Sequence, residues 1–235
     1  MDFTARLPAI QASISQLYGS LEGRRVVLGF GGRALLLAQA CNPAWPHRVV
    51  GAATTEAELL TLVRRERPDL LFCGDRLEAG DPIALVEAVL SSSGPTRVLL
   101  LLSGAGHAAR AERAIRAGCD GLLVEEHLGE GTLVGAVHAL CGGGVYVDRS
   151  LAAAYRHLRD TGSSPPSAPL TVREREVLQL VAAGTGNNAI ASRLIVSRET
   201  VKTHLANLSR KLNARDRTHA AVIGLKLGWI DYPES

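Results

Sequence analysis

Aromatic residues, lysines and long apolar runs are all scarce in this sequence of 235 residues. Aromatic side chains make up 4% of the chain, so its cores must be built from Leu, Val, Ile and Ala. No apolar run reaches the length of about 18 residues that a membrane-spanning helix needs, and the opening MDFTARLPAI lacks the apolar centre of a signal peptide. We therefore expect a globular, cytoplasmic protein that does not enter a membrane.

Cysteines are also few, and their spacing fits neither a metal site nor a redox pair. Cys41, Cys73, Cys119 and Cys141 include no C-x-x-C motif, so zinc and thioredoxin-like chemistry are not indicated. Cys73 lies in an apolar run and Cys119 just before another, and both are predicted to be buried. Cys41 and Cys141 lie near predicted helix ends, where a redox switch stays open as an alternative. We predict no metal site and no cofactor.

Short apolar runs alternate with helical patterns over the first part of the chain. Near-continuous apolar strands separated by helices indicate a parallel sheet that is covered on both faces. The pattern predicts a flavodoxin-like, doubly wound parallel sheet, in which ligands bind at the carboxyl ends of the strands. The predicted strands are residues 26–28, 49–52, 70–73, 98–102 and 121–124, and the predicted helices are residues 33–41, 55–66, 82–92, 107–117 and 129–141.

Two further segments flank this predicted sheet. Residues 160–169 read DTGSSPPSAP, which has the composition of a linker. Before the sheet, a stripe with helical spacing predicts an amphipathic helix, formed by Leu7, Ile10, Ile14, Leu17 and Leu21. That helix could pack on the sheet or pair two subunits, and both options stay open. The predicted organisation is an extra helix over residues 1–22, a regulatory domain over residues 23–159, the linker, and a second domain over residues 170–235.

The predicted second domain carries the spacing of several short helices. Thr171 and Glu174 form a T-x-x-E capping box at the start of the first. A second helix is predicted over Asn187 to Leu194, and Ser197 is placed to cap a third that runs to about Leu212. Two helices joined by a tight turn, the second with a polar and basic outer face, present a helix to the DNA major groove. The alternative is a helical bundle whose basic face is only solvated.

Positive charge is concentrated in the same segment. Residues 170–235 carry ten Lys or Arg against six Asp or Glu, a net +4, whereas residues 1–169 carry a net −1. Localised positive charge is typical of a phosphate-binding surface. We predict base contacts by the outer face of the third helix, at Lys202, Thr203, Ala206 and Asn207. We predict phosphate contacts by Asn188, Ser197, Arg198, Thr200, Arg210 and Lys211.

This segment resembles the C-terminal DNA-binding domain of LuxR/NarL-type transcription regulators. The matching pattern is L-T-x-R-E-x-E-V-L, G-x-x-N-x-x-I-A-x-x-L and V-S-x-x-T-V-K-T-H, followed by K-L and R-D-R-T-x-A. The resemblance implies an all-α, four-helix helix-turn-helix domain whose third helix is the recognition helix. It also implies double-stranded promoter DNA and a second copy of the chain as partners, and it leaves a contact with RNA polymerase open.

In that family the last helix, here about Arg217 to Leu227, commonly supplies a dimer interface. Small and apolar residues line it in this chain, namely Ala220, Ala221, Ile223, Gly224 and Leu225. Small residues permit two helices to approach closely, so this group either forms the dimer contact or closes the four-helix core. The two alternatives are compatible, and the sequence leaves both open.

Residues 23–159 resemble the receiver domain of response regulators. Three segments carry the likeness: Arg67 to Asp69 before the third strand, Arg97 to Ser103 at the fourth, and Ala117 to Gly121 before the fifth. A receiver holds Mg²⁺ between an acidic pair after the first strand and a phosphoacceptor Asp at the end of the third. A Lys after the fifth strand normally completes that site.

The chain departs from the receiver pattern at these acidic and basic positions. Gly29-Phe30-Gly31-Gly32 follows the first strand, Gly74 stands where the acceptor is expected, and Glu125 replaces the lysine. Ser103 keeps the hydroxyl that is expected after the fourth strand. We therefore predict a receiver-like domain that does not undergo conventional aspartyl phosphorylation. Asp75 lies one residue late, and a shift of one residue turns a side chain to the other face of a strand, so it remains only an alternative acceptor.

We expect a sequence-specific, DNA-binding transcription regulator rather than an enzyme. The predicted strand ends carry Asp75, Ser103, Glu125 and Glu126 but no histidine that completes a catalytic set. One alternative is a regulator that senses a redox change, or a small molecule bound at its glycine-rich turn after the first strand. Another is a co-regulator that acts through protein partners.

Overall fold

The apolar runs predicted as strands form one β-sheet. A computed structural model describes residues 17, 19, 21–34, 36, 48–92, 94–104, 106–128, 130–151, 168–214, 216–227 and 229–230. The chain divides into two compact units, residues 1–138 and residues 139–235. Most of the predicted linker, most of the predicted helix over residues 33–41, and Cys41 lie outside the described residues. The predicted domain boundaries therefore stay predictions.

The sheet confirms the predicted doubly wound fold. Its strand order is β2-β1-β3-β4-β5-β6, and β1 to β5 pair in parallel with their sheet neighbours. The two-residue strand β6 was not predicted, because a pair of residues is too short to show a periodic pattern. The strands are β1 (Val26–Gly29), β2 (Val49–Ala53), β3 (Leu70–Gly74), β4 (Arg97–Leu102), β5 (Gly121–Val124) and β6 (Tyr146–Val147).

The helices between these strands begin where the sequence offers a cap. The Thr55 side chain accepts from the Glu58 amide at the start of α1, and Asp81 accepts from the Ile83 amide at the start of α2. Pro82 is the first residue of α2, where its missing amide hydrogen costs nothing. The helices are α1 (Glu56–Glu66), α2 (Pro82–Ser91), α3 (His107–Arg116) and α4 (Thr132–Cys141), and a single 3₁₀ turn (Glu125–His127) follows β5.

Four helices form the core of the second unit, as predicted. They are α5 (Val172–Ala182), α6 (Asn187–Leu194), α7 (Arg198–Lys211) and α8 (Arg217–Lys226). The predicted capping box is present, since Thr171 accepts from the Glu174 amide while the Glu174 side chain accepts from the Thr171 amide. Aliphatic side chains fill the core, as the low aromatic content requires, and the most buried include Val177, Leu178, Val181, Ile190, Val201 and Leu208.

Only the end of the predicted N-terminal helix falls within the described residues. Leu17 and Leu21 are 2% and 0% exposed, so both are packed against the rest of the chain. This burial favours the packing alternative for these two side chains, whereas Leu7, Ile10 and Ile14 lie outside the described part. Across the described residues, the structure contains no helix with the length and apolar character needed to cross a bilayer.

Candidate nucleic-acid interface

A tight turn between α6 and α7 sets the direction of the predicted recognition helix. The turn begins at Ile195, whose φ of 54° and ψ of 50° are left-handed, and the Val196 amide donates to the Ala191 carbonyl at 3.0 Å. Ser197 then starts α7, because its Oγ accepts from the Thr200 amide at 3.0 Å. The turn and the cap together produce the predicted helix-turn-helix geometry.

One face of α7 is buried and the opposite face is polar and exposed. Val201 and Leu208 are both fully buried in the core of the unit. The predicted base-reading residues occupy the opposite face, where Lys202, Thr203 and Ala206 are exposed and Asn207 is half-buried. Their spacing of one, four and five residues puts all four on one stripe of the helix.

Polar groups on this stripe have only weak internal partners. Lys202 Nζ lies 2.9 Å from Glu199 Oε1, and both side chains are at least half exposed. The hydrogen bond from Lys202 lowers the pKa of the Glu199 carboxyl, with a further contribution from the charge of the ammonium group. Asn207 Oδ1 accepts from Arg210 Nη2 at 3.3 Å. Exposed pairs of this kind contribute little to stability, so a ligand can replace them at low cost.

Most of the predicted phosphate-binding residues lie near the starts of helices. Ser197 and Arg198 are exposed at the start of α7, and Thr200 Oγ1 lies 2.8 Å from Ser197 Oγ. Asn188 is exposed in the first turn of α6. Helix N-termini carry amide donors and a positive dipole end, which suit phosphate. Arg210 lies near the other end of α7 and is also exposed.

Lys211 differs from the other predicted phosphate contacts. Its Nζ lies 2.7 Å from Glu174 Oε2 and 3.3 Å from the Pro169 carbonyl, and its side chain is 22% exposed. Burial raises the pKa of the Glu174 carboxyl, but hydrogen bonds from Lys211 and Thr171 outweigh it, so the pKa is lowered overall. Lys211 therefore joins the end of α7 to the start of α5.

The small residues of α8 face the interior of the unit. Ala220 and Ala221 are 0% and 1% exposed, and Leu225 is 9% exposed. A Cβ added to Gly224 would lie 2.6 Å from Leu178 Cδ2. These contacts favour the alternative in which the small residues close the core, while Ile223 remains half-buried.

An aromatic ring lies beside the expected phosphoacceptor position of the first unit. Phe30 follows β1, is 5% exposed, and packs edge to face on Phe72 with ring centroids 5.1 Å apart. A Cβ added to Gly74 would lie 3.1 Å from Phe30 Cδ1. The edge of the sheet where a receiver places its acidic pair is therefore apolar here.

Asp75 forms a closed polar cluster with two other residues. Its Oδ1 accepts from Ser103 Oγ at 2.7 Å, and its Oδ2 lies 2.6 Å from Arg110 Nε, an ion pair without hydrogen-bond geometry. The Arg110 guanidinium also donates to the Ser103 carbonyl. The Asp75 side chain is 3% exposed. Asp75 and Ser103 were selected from the sequence, but Arg110 was missed, because no short motif connects an arginine on α3 with a carboxylate after β3.

The remaining strand-end positions do not add to this cluster. Glu125 and Glu126 are both exposed, in the 3₁₀ turn after β5. Within the residues that the structure describes, no three His, Cys, Asp or Glu side chains come together as a metal site. Two amides of the glycine-rich turn donate within the chain, Phe30 to the Ala53 carbonyl at 3.3 Å and Gly31 to the Arg76 carbonyl at 3.1 Å. Neither of these two amides is offered to a phosphate group, and a ligand at this turn stays an untested alternative.

A cavity lined by Arg33, next to that turn, has its cationic groups already paired. It measures about 710 Å³ and lies beside β2 and α1. Arg33 lines it and lies 2.7 Å from Glu78, and Arg65 lines it and lies 2.7 Å from Glu66. Glu58 also lines the cavity, and the Thr54 and Thr61 hydroxyls donate to Glu78 and to the Ala57 carbonyl.

The described cysteines fall into two groups. Cys73 and Cys119 are buried, and burial raises the pKa of the Cys73 thiol to about 12 and that of Cys119 well above its usual value. The burial of both thiols confirms the prediction from the sequence. Cys141 is half-buried, so the redox alternative now depends on Cys141 and on Cys41, which lies outside the described residues.

The chain is similar to known bacterial transcription regulators. The family model for bacterial regulatory proteins of the luxR family matches residues 168–223. The chain is 33% identical over 199 residues to the probable transcriptional regulatory protein NarL of Mycobacterium tuberculosis, covering 85% of this chain and 88% of that protein. It is 35% identical over 181 residues to the DNA-binding transcriptional activator DevR/DosR of the same species, covering 76% and 82% of the two chains.

The chain belongs to the luxR family of bacterial regulatory proteins. It is a DNA-binding transcriptional regulator of the LuxR/NarL type, which confirms the functional class predicted from the sequence.

Solved structures agree on the fold of this luxR-family regulator. The RcsB response regulator of Salmonella typhimurium matches with a TM-score of 0.51 at 18% identity, covering 87% of this chain and 97% of that one. A structure of two RcsB dimers bound to two parallel DNAs matches with a TM-score of 0.50, also at 18% identity, covering 88% and 98%. At this identity the likeness shows the fold alone.

Proposed function

We propose that this regulator binds promoter DNA through α7 without requiring phosphorylation of its first unit. The closed cluster of Asp75, Ser103 and Arg110 is the observation that carries this proposal. A phosphoacceptor must present a carboxylate oxygen to its donor and share a metal ion with other acids. Here both oxygens of Asp75 already face a hydroxyl or a guanidinium, at 2.7 Å and 2.6 Å.

The apolar surroundings of Gly74 support the same conclusion. A receiver uses carboxylates near this position to hold Mg²⁺, which needs oxygen ligands in octahedral geometry. Phe30 and Phe72 supply two aromatic rings instead, and Glu125 adds negative charge at the end of β5, where a phosphoryl group would be repelled. We therefore infer that the first unit keeps the architecture of a receiver without its phosphotransfer chemistry.

On the DNA side, we assign base reading to the exposed stripe of α7. Lys202 can donate to guanine O6 and N7, Asn207 can pair with adenine N6 and N7, and Ala206 can pack on a thymine methyl group. The Thr203 hydroxyl donates to the Glu199 carbonyl at 3.0 Å and can still accept a hydrogen bond from a base. All four lie on one exposed stripe, which suits a helix in the major groove.

Phosphate contacts would then fix the position of α7 in the groove. The polar residues that would make these contacts are exposed or half-buried. They are Ser197, Arg198 and Thr200 at the start of α7, Arg210 near the end of α7, and Asn188 on α6. Lys211 donates to Glu174 and would mainly hold the end of α7 in place. Its positive charge would also attract a nearby phosphate. The RcsB structure with dimers on DNA supports binding as a homodimer. We place the site of action in the cytoplasm, where promoter DNA is found.

Treatment with a small-molecule phosphodonor tests this proposal. The full chain is incubated with acetyl phosphate and Mg²⁺, its intact mass is measured, and its affinity for a selected DNA duplex is compared with that of untreated protein. We expect no added phosphoryl group and the same affinity. A phosphorylated product that binds DNA much more tightly, and that is lost in Asp75→Asn, would overturn it.

A further inference from the structure

Arginines gather at the edge of the sheet where its parallel strands begin. Arg24 and Arg25 precede β1, Arg48 precedes β2, and Arg67 ends α1 shortly before β3. These strands are neighbours in the sheet, in the order β2-β1-β3. Because the amino ends of parallel strands meet at one edge, the four arginines lie along that edge. We call these four residues the arginine edge.

Backbone hydrogen bonds fix the positions of these residues. The Val26 amide donates to the Arg48 carbonyl at 2.6 Å, and the Arg25 carbonyl accepts from the Asp69 and Leu70 amides at 2.8 Å and 3.2 Å. The Arg25 amide also donates to Asp69 Oδ2 at 2.8 Å. The side chains of the arginine edge therefore start from a backbone that belongs to the sheet.

Positive charge is concentrated at this end of a part of the chain that is otherwise acidic. Six arginines face three acids there, a net +3, counted over residues 22–25, 48 and 64–69. Residues 1–169 as a whole carry a net −1, so the rest of that part is negative. The dipole of α1 stabilises the basic residues in its last turn. That effect does not extend to Arg24, Arg25 and Arg48, which lie outside the helices.

The acids at this edge leave much of the positive charge exposed. Glu66 lies 2.7 Å from both Arg25 and Arg65, and Asp69 lies 3.3 Å from Arg24. Two carboxylates are therefore shared by three guanidinium groups. The side chains of Arg24 and Arg25 are 42% and 49% exposed. Exposed pairs contribute little to stability, so an anionic ligand can replace them at low cost.

Arg67 is the member of the arginine edge that is available without breaking any contact. In the part of the chain that the structure describes, its exposed side chain makes no hydrogen bond or ion pair. Its φ of 45° is left-handed, at a helix end where glycine is the usual residue. A side chain at this position costs backbone strain, and no contact within the described chain offsets it. Its guanidinium is free to bind a ligand outside the chain.

The phosphate groups of a DNA duplex match a row of arginines. Guanidinium groups bind phosphate oxygens through pairs of N–H donors. Phosphates follow one another in a line along each strand of a duplex, and the arginine edge is likewise a row, which crosses three β-strands spaced about 4.8 Å apart. Because the sheet and α7 are parts of one chain, a duplex held by α7 is present at high effective concentration for the sheet.

We infer that the arginine edge binds the phosphate backbone of the DNA that flanks the site held by α7. The inference rests on the proposed function, since it requires α7 to be on its site. Phosphate contacts carry no base information, so the arginine edge adds affinity without changing the preferred sequence. The first unit then contributes to DNA binding directly, in a way that needs no phosphoryl group.

The length of the duplex tests this inference with the full chain. Anisotropy gives the affinity for the selected duplex, which ends at the site of α7, and for the same duplex extended on each side by about 20 base pairs, or roughly 70 Å. We expect wild type to bind the extended duplex about tenfold more tightly. Arg67→Glu should lose about fivefold on the extended duplex and flatten its salt slope by about one unit. On the selected duplex, it should stay within about twofold of wild type.

Arg76→Glu is the matched control. Arg76 is also exposed, also makes no side-chain hydrogen bond or ion pair among the described residues, and follows β3 at the opposite edge of the sheet. The same change of charge there should leave both affinities within about twofold of wild type. Arg67→Lys keeps the positive charge and should retain the preference for the extended duplex. Thermal unfolding checks that each variant is folded, and Arg67→Gln replaces Arg67→Glu if that variant is not.

Four results would overturn the inference. Equal affinities of wild type for the two duplexes would mean that nothing beyond the site of α7 is bound. Equal losses in Arg67→Glu and Arg76→Glu would assign the effect to net charge. A loss in Arg67→Glu on the selected duplex as well would assign Arg67 to the site itself. A change in the molar mass of Arg67→Glu without DNA would assign the arginine edge to a second copy of the chain. If wild type binds neither duplex, the proposed function fails instead.

Discussion

The edge of the sheet in the first unit and the outer face of α7 in the second differ in what their polar groups contact. At the sheet edge, Asp75 has both oxygens engaged by Ser103 and Arg110, and its side chain is 3% exposed. On α7, Lys202 has one exposed partner, Glu199, and its side chain is 50% exposed. Both regions resemble known functional sites in sequence, yet Lys202 on α7 is exposed to a ligand whereas Asp75 at the sheet edge is buried.

The difference shows that a fold and its chemistry are specified by separate residues. Apolar strands and helix caps suffice to build the receiver-like sheet, and they do not require the acids that hold Mg²⁺. On α7, the exposed stripe contributes little to the fold, because core packing by Val201 and Leu208 positions the helix. Polar groups whose internal partners are weak are available for binding, whereas groups that are buried and paired mainly support structure.

Removing Arg110 should have the largest effect and would test whether the cluster is structural. Arg110→Ala leaves the buried Asp75 carboxylate without its cation, which we expect to destabilise the first unit by about 3 kcal/mol. Arg113→Ala on the same helix breaks an exposed pair with Asp81 and should cost under about 1 kcal/mol. Hydrogen exchange of the β3 and β4 amides in the full chain measures the loss of stability in each of the two variants. Equal protection in the two variants would mean that the cluster does not support the sheet edge.

Removing the Lys202 side chain should have the next largest effect, and it tests the role of the outer face of α7 in DNA binding. Lys202→Ala should weaken binding to the selected duplex by about 1–3 kcal/mol and relax the preference at one base pair. The stability of the Lys202→Ala variant should hardly differ from that of wild type, because the ion pair of Lys202 with Glu199 is exposed. Anisotropy titrations measure the affinity, with Arg64→Ala on α1 as the matched control. Equal affinities for Lys202→Ala and wild type would place base reading elsewhere.

Replacing Glu174 should lower the stability by a smaller amount, which depends on pH. Glu174→Gln keeps a capping side chain but removes the charge facing Lys211, at an expected cost of about 1 kcal/mol at pH 7. The pKa of Glu174 is lowered from 4.5, so its contribution is present above pH 4.5 and disappears as the pH falls through the folded value. Thermal unfolding of wild type and variant should therefore converge in acid. A stability difference that persists at low pH would contradict this assignment.

The thiols should show the smallest effect on function. At pH 8 we expect Cys141 to react with iodoacetamide, while Cys73 and Cys119 stay unmodified because burial raises their pKa. Cys141→Ser should leave DNA affinity unchanged. Peptide mass spectrometry measures the modification. Rapid labelling of Cys73 in folded protein would contradict its burial, and altered DNA affinity in Cys141→Ser would revive a redox switch.

Contacts between residues close in the sequence were predicted, whereas contacts between distant residues were not. The cap at Ser197 and the box of Thr171 and Glu174 were predicted correctly, because these contacts span three residues. The pairing of Lys211 with Glu174 spans 37 residues, and no periodic pattern encodes it. The contact of Arg110 with Asp75 is missed for the same reason.

Side-chain direction is a second point that the sequence left open. Small residues on α8 fit both a dimer contact and a closed core, since the same spacing serves either. Their burial against Leu178 could be seen only after α5 and α8 were placed in space. The exposure of Ile195 was equally hidden, because an isoleucine next to a helix end is usually expected inside.

Selection from a random duplex pool, with untreated full-length protein and no phosphodonor, tests the central claim most directly. The anisotropy of the selected duplex is then followed across a salt series for wild type and Lys202→Ala. We expect selective binding by untreated protein, a linear fall of log affinity with log salt, and a marked loss in Lys202→Ala. Binding that is unselective until the protein is phosphorylated, or that is equal in the variant, would contradict the account.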